Sequence, residues 1–241
     1  MGKTSGVSVC ITAYKATRFI KECLDSVANQ SLFLKSDNYE ILVGIDNDQE
    51  TLRYLQTIAP QYKNLRLLMM DSNEGTYITT NTLFEAAKYD YVARFDADDI
   101  MQENCIEEAL AKIGDCDYVR FKFHNFYETD KVRWHDVLIA HGIGMFKRNT
   151  IREYGYFRPW RIAADTELLH RLRDFIRIGS TEGVVFERRV YDGSLTTAEK
   201  TKQQSQLRNY YAYVIKNSKY ISVIKATIPM VTNTYQEVSL E

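Results

Sequence analysis

Three carboxylates, Asp96, Asp98 and Asp99, close an otherwise apolar run that opens Tyr91-Val-Ala-Arg-Phe. Residues i and i+2 of an extended chain face the same side, so Asp96 and Asp98 lie side by side. A tight turn at the strand end still lets them converge. Carboxylates this close repel unless a divalent ion or a shared proton compensates. Hard oxygen donors suit magnesium or manganese, which keep coordination positions open for phosphate oxygens. One reading is therefore a metal–diphosphate site. The competing one is an acidic turn capping a helix that starts near Met101, since Asp is favoured at helix N-caps.

The elements that must position these carboxylates follow from the apolar pattern. Val7 to Thr12 reads as a short β-branched strand, and Thr17 opens a helix with Ile20, Cys23, Leu24 and Val27 at helical spacing. Tyr39 to Ile45 is a buried strand, and Gln49 to Ala59 its helix, ended by Pro60. Leu65 to Met70 forms a third strand, Tyr77 to Tyr89 a third helix and Tyr91 to Phe95 a fourth strand. Such alternation implies right-handed crossovers and an α/β, doubly wound, mostly parallel sheet. Ligands of such sheets bind beyond the carboxyl ends of the strands. Those ends read Thr12 to Lys15, Asp46 to Asp48, Asp71 to Gly75 and Asp96 to Asp99, all polar and rich in small residues.

After Asp117 the construction changes. Tyr118 to His124 alternates like a half-exposed antiparallel strand, with Arg133 to Ile139 as its partner. His141 to Arg148 is glycine-bearing and loop-like. Asp165 to Phe175 reads as a helix, Gly183 to Tyr191 as a strand, and about 198–216 as a long helix. No repeat, low-complexity tract or proline-rich linker marks a boundary. The expectation is one domain over 1–241, with a first half to about 117, a mixed second half over about 118–196 and a C-terminal helical extension from about 197.

Thirty-one Lys and Arg against 32 Asp and Glu leave a net charge of −1. That excludes a global field drawing the chain to nucleic acid, so an anionic ligand must be met locally. Cys10, Cys23, Cys105 and Cys116 lack Cys-x-x-Cys spacing, which points to a reducing compartment. Met1 to Ser5 lack the apolar run of a signal peptide, and no segment reaches the length of a membrane span. The expected location is cytoplasmic. Leu240 and Glu241 read as a cloning remnant and are set aside.

Taken in order, Val7 to Tyr14, Tyr39 to Asp46, Asn73-Glu-Gly75, Phe95 to Asp99 and Ala164-Asp-Thr-Glu-Leu168 resemble the landmarks of family 2 glycosyltransferases of the GT-A fold. The resemblance covers roughly 7–196. It implies a Rossmann-like nucleotide-sugar half, a mixed acceptor-side half and a C-terminal helix. The implied activity is transfer of a sugar from a nucleoside diphosphate donor, expected to be a UDP-sugar, to an acceptor hydroxyl. Inversion, assistance by a divalent cation (Mn2+ or Mg2+) and a place in surface polysaccharide or glycoconjugate synthesis are expected with it.

By resemblance, Thr12, Ala13, Tyr14 and Asp46 embrace the uracil and ribose. Asp46 could equally close an Asx-turn after its strand. Asn73 and Gly75 correspond to an Asn-x-Gly turn where glycine lets the backbone approach the ligand. Asp96, Ala97 and Asp98 form the acidic motif, with Asp96 and Asp98 on the metal. Arg94 either contacts the diphosphate or pairs with Asp96 or Asp98.

The family's general base, an acidic residue at a helix start, corresponds to Asp165, with Ala164 where a Glu is common. Glu167 is the rival, although its i+4 relation to Arg171 favours an ion pair. Tyr191 stands where the family often has a His, which puts metal affinity in question. Arg188 and Arg189 are candidate diphosphate clamps or plain surface charge. His141-Gly142 could line the acceptor pocket, and Trp134, Tyr156 and Trp160 could stack on sugar or fill the core.

The implied acceptor is a glycan or a lipid-linked molecule. The segment from Asn209 to Ile224 either packs across the domain or a second subunit, or rests peripherally on the inner face of a membrane. Two alternatives stand. A non-catalytic nucleotide-sugar-binding module is kept open by Ala164 and Tyr191. A nucleotidyltransferase would need a glycine-rich loop after the first strand, where this chain has Thr12 to Arg18 without glycine.

Overall fold

A computed structural model describes residues 6–194, 197–198, 201–202, 205–217 and 231–240. The expectations for Met1 to Ser5, for Tyr220 to Ile224 and for Glu241 lie outside the described residues.

The first half alternates as its pattern implies: β1 (Val7–Ala13), α1 (Ile20–Ala28), β2 (Tyr39–Ile45), α2 (Gln49–Ile58), β3 (Leu65–Met70), α3 (Thr76–Ala86) and β4 (Tyr91–Asp96). These strands are parallel in the order β3-β2-β1-β4. β1 and β2 are covered on both faces, which is why they read as continuous apolar runs. Val9 and Ile11 enter one core with Leu24, Val27 and Leu55, whereas Cys10 enters the other with Leu42, Leu83 and Phe84. The register sets Thr12 level with Gly44 and Asp96, so the polar strand ends meet at one edge of the sheet.

The second half extends the same sheet with β5 (Ile100–Met101), β6 (Tyr118–Tyr127), β7 (Val132–Arg133), β8 (Leu138–Lys147) and β9 (Ile178–Val190). The order continues β4-β8-β6-β9-β5, with β7 on β6 and with β8 antiparallel to both β4 and β6. Helices α4 (Cys105–Ile113), α5 (Arg148–Tyr154) and α6 (Ala164–Leu172) pack on this half. Two C-terminal elements follow, α7 (Gln206–Asn217) and β10 (Tyr235–Glu237), the latter antiparallel to β3. Among the described residues no helix is long and apolar enough to cross a membrane.

Several boundaries differ from the sequence reading. The first helix begins at Ile20, not Thr17. No helix starts at Met101: Ile100 and Met101 pair with Glu187 and Phe186, and the next helix starts at Cys105 behind Asn104. The acidic turn is therefore not a helix cap. His141 to Lys147 is a central strand, not a loop. A Cβ on Gly144 would fall 2.3 Å from the Val119 carbonyl oxygen, so its glycine permits close strand packing. Leu240, set aside above, packs against the core beside Val238, and Glu237 pairs with Arg66 at 2.7 Å.

Candidate active site

At the end of β2, Asp46 is buried and its carboxylate accepts from the amides of Glu74 and Gly75 at 2.9 Å each, and from the Thr79 hydroxyl at 3.2 Å. Gly75 has φ +93, a conformation that costs glycine little. The Asn73 side chain donates to the Asp46 carbonyl at 3.0 Å. Within the chain, the Asp46 carboxylate oxygens hold the Asn73–Gly75 turn. Tyr14, half exposed at the end of β1, presents an open ring nearby, while Ala13 is buried and the Thr12 hydroxyl lies 2.8 Å from that of Thr76. Lys15 and Asn47, one at each strand end, hold positive φ, the local strain that gathers at functional loops.

Arg161 was not legible in the sequence. Its guanidinium donates to the Asn73 side-chain oxygen and to the Asn73 carbonyl, both at 2.8 Å, clasping the turn from 88 residues away. No local spacing signals a contact of that range.

The acidic turn closes β4, with the Asp99 amide donating to the Asp96 carbonyl at 3.3 Å. Asp96 pairs with the buried Arg94 at 2.7 Å. Arg94 also donates to Thr76 and Thr80 and lies over the Tyr77 and Phe157 rings. The Asp98 carboxyl is pushed up to about 6, first by burial and then by the charge of Asp96, against a hydrogen bond from Tyr191. Burial, then Asp98 and Asp96, pushes Asp99 well up too, although it accepts from the Arg189 amide at 2.9 Å. Tyr191 therefore meets Asp98 from the position where the family often has a His.

The two arginines of β9, Arg188 and Arg189, have protein partners. The Arg189 guanidinium is buried between Phe19 and Phe126, bonded to Glu22, Glu128 and the Asp98 carbonyl. Its role is to hold the acidic turn against α1 and β6. Arg188 donates to Asn125 at 3.0 Å and stacks over Phe123. Arg188 is thus engaged by β6 alone, whereas Arg189 is enclosed between β6 and α1.

Whether these residues suit a divalent cation turns on charge. Among the described residues no three His, Cys, Asp or Glu side chains form a metal-binding group. Asp98 and Asp99 nonetheless hold protons more tightly than ordinary carboxylates, first because they are buried and then because carboxylates crowd one another in the turn, and a cation completed by phosphate oxygens and water would offset that repulsion. Asp96 and Asp98 are the residues that would hold such an ion.

Asp165 stands in the first turn of α6 behind Ala163, which has φ 63. It is half buried, accepts from the Thr166 amide at 2.8 Å and is hydrogen-bonded by Tyr77. The Glu common before it is replaced by Ala164, wholly buried in the core. The rival Glu167 is also wholly buried, pairing with Arg158 at 2.8 Å and Arg171 at 3.0 Å, and so is closed to an acceptor hydroxyl.

On the acceptor side, His141 is exposed and lies 3.2 Å from the Thr166 hydroxyl. Trp134 is half exposed beside Tyr127, and Trp160 stacks on Tyr211 of α7 at 4.5 Å. Tyr156, by contrast, is buried with its hydroxyl on Glu85, so it fills the core and offers no sugar face.

Residues 8–163 match the model of the family described as Glycosyl transferase family 2, a span that ends just before Ala164 and Asp165. The chain belongs to that family. The glycosyltransferase GlyG of Streptococcus pneumoniae is 25% identical over 127 residues, covering 52% of this chain and 41% of that protein. The hyaluronan synthase of Pasteurella multocida is 26% identical over 230 residues, covering 86% of this chain and 22% of that one. The chain thus spans less than half the length of either relative.

Among solved structures, S. aureus TarS 1-349 in complex with UDP-GlcNAc superposes with a TM-score of 0.66 at 18% identity, covering 78% of this chain and 60% of that one. The Pyrobaculum calidifontis mannosyltransferase PcManGT, in complex with GDP-Man and Mn2+, gives 0.67 at 17% identity, covering 88% and 65%. These likenesses establish the GT-A fold for this family member.

Proposed function

We propose that this family 2 glycosyltransferase moves a sugar from a nucleoside diphosphate donor, a UDP-sugar, to an acceptor hydroxyl with inversion at the anomeric carbon. The observation that carries the reading is the gathering of two carboxylate groups from distant parts of the chain around Arg94: Asp96 at the end of β4 and Asp165 on α6. The solved TarS and PcManGT complexes hold nucleotide sugars on the same fold, which supports a nucleotide-sugar donor here.

In this reading the Asn73–Gly75 turn and Tyr14 seat the nucleotide. A divalent cation at Asp96 and Asp98 would neutralise charge on the departing diphosphate. Asp165 accepts the proton of the acceptor hydroxyl as that oxygen forms its bond to the anomeric carbon and the bond to the diphosphate breaks. One in-line displacement needs no covalent intermediate. Tyr77 and the Thr166 amide orient the Asp165 carboxylate for that transfer.

The acceptor is a glycan or lipid-linked hydroxyl in surface polysaccharide synthesis, a setting supported by the hyaluronan synthase relative. The four free, buried cysteines fit the reducing cytoplasm. Calorimetry with UDP, GDP, dTDP and CMP, with and without Mn2+, tests the donor assignment. Manganese-dependent binding of UDP that collapses in Asp98→Ala is expected. Binding of another diphosphate in place of UDP would reassign the donor, and binding of none would leave a non-catalytic module of this fold.

A further inference from the structure

Gly142 lies within β8, between Ile139 and Gly144 where the pairing with β6 shifts register, and past Gly144, the last residue of β8 that pairs with β4. The reason for glycine there is specific. A Cβ added at Gly142 would fall 2.6 Å from Cβ of Asp165 and 3.4 Å from Nη1 of Arg94. The first distance is one that real side chains essentially never show, and both groups it touches belong to the site. The missing side chain makes a slot into which α6 presses Asp165.

Arg94 forms the opposite wall of that slot. It is buried, fixed by Thr76 and Thr80, stacked over Tyr77 and paired with Asp96 at 2.7 Å. A guanidinium so restrained is a fixed reference point between the end of β4 and the start of α6. The depth to which Asp165 enters the slot therefore sets its distance from the groups at the end of β4. Asp165 cannot compensate for crowding by sliding along α6, because Glu167, two residues on, is locked by Arg158 and Arg171.

We infer that Gly142 is a positioning residue for the transfer reaction: by lacking a side chain it lets Asp165 seat in this slot at the depth the acceptor hydroxyl requires. The inference rests on the proposed role of Asp165 as base. It predicts that a single methyl at 142 acts on turnover and spares donor binding, because the donor is held by β1, β2 and the turn at Asn73–Gly75.

The experiment is a double-mutant cycle of Gly142→Ala and Asp165→Gly, read by thermal melting, by calorimetric binding of UDP with Mn2+ and by turnover. Overpacking at 142 is expected to lower the melting temperature by about 5 °C in the natural background and by less than half as much where Asp165 has lost its side chain. Gly142→Ala is expected to reduce kcat by roughly 10- to 100-fold, with UDP affinity held within about twofold. An equal melting loss in both backgrounds would show that the methyl meets something other than Asp165, and unchanged turnover would show that the depth of Asp165 is immaterial. Either result overturns the inference. Should the natural protein bind no nucleotide, the functional proposal fails while the melting cycle still decides the contact.

Discussion

Glu167 and Arg171, one helical turn apart on α6, form a buried ion pair at 3.0 Å, and Arg158 bonds the same carboxylate at 2.8 Å. The two acidic residues of α6 thus differ: Glu167 fastens the helix, and Asp165, half buried, is the one the proposal makes the base. Removing one partner of a buried pair leaves the other uncompensated, so Glu167→Ala should cost about 3–5 kcal/mol in urea unfolding. Asp165→Asn should unfold close to the natural protein yet lose roughly 100- to 10,000-fold in kcat. A Glu167 variant that folded normally and lost only turnover would reverse the assignment.

If the Asn73–Gly75 turn seats the nucleotide as proposed, Asp46 acts on it through the turn it holds. Asp46→Ala strands the Glu74 and Gly75 amides and the Thr79 hydroxyl, each such group costing on the order of 1–3 kcal/mol if left unmet. Weaker UDP binding is expected along with the lost stability, because Asn73 and Gly75 lose their support. Comparison of melting and calorimetry across Asp46→Ala and Asn73→Ala checks this: the Asn73 variant should lose binding with the smaller loss of stability.

The raised Asp98 carboxyl sets a pH dependence with a definite sign. Its folded value, about 6, lies above that of the unfolded chain, so between these limits the folded protein binds the additional proton. Without metal, this group therefore adds stability as pH falls through about 6 and withdraws it as pH rises. A cation competes for the same oxygen, so Mn2+ affinity should decline below about pH 6. Melting with and without Mn2+ between pH 5 and pH 8, on the scale set by the carboxylate reference values, reads both effects, and a metal-induced stabilisation that grew toward acid pH would contradict them.

Tyr191 tests the same turn from its other side. Tyr191→Phe removes the hydroxyl that bonds Asp98 and should weaken Mn2+ binding while leaving the Phe19–Tyr191 ring contact at 4.9 Å largely intact. Tyr191→His replaces that hydroxyl with an imidazole, a better ligand for a transition metal, and should tighten it. Electron paramagnetic resonance titration of free Mn2+ gives the order directly, with His above Tyr and Tyr above Phe as the expected ranking.

Much of the molecule follows from local pattern. The runs Val7–Ala13, Tyr39–Ile45 and Leu65–Met70 are apolar on both faces and separated by amphipathic helices, which admits little but a parallel, doubly wound sheet whose polar strand ends share one edge. The acidic motif, the Asn73–Gly75 turn and Asp165 stand out in the sequence for that reason: each sits at an element boundary, where local chemistry departs from the apolar pattern. Tertiary structure alone decided what each group does there. Arg161 on Asn73, Arg189 on the acidic turn, Asp46 on Gly75 and Gly142 beneath Asp165 are all contacts across long sequence separations, which spacing along the chain does not encode. The glycines of β8 show the same limit, since Gly142 and Gly144 read as loop residues until their neighbours appear. A sequence records which side chains are present and the period at which they recur. Which buried charges pair, and which are left facing the site, is fixed only when packing desolvates them together.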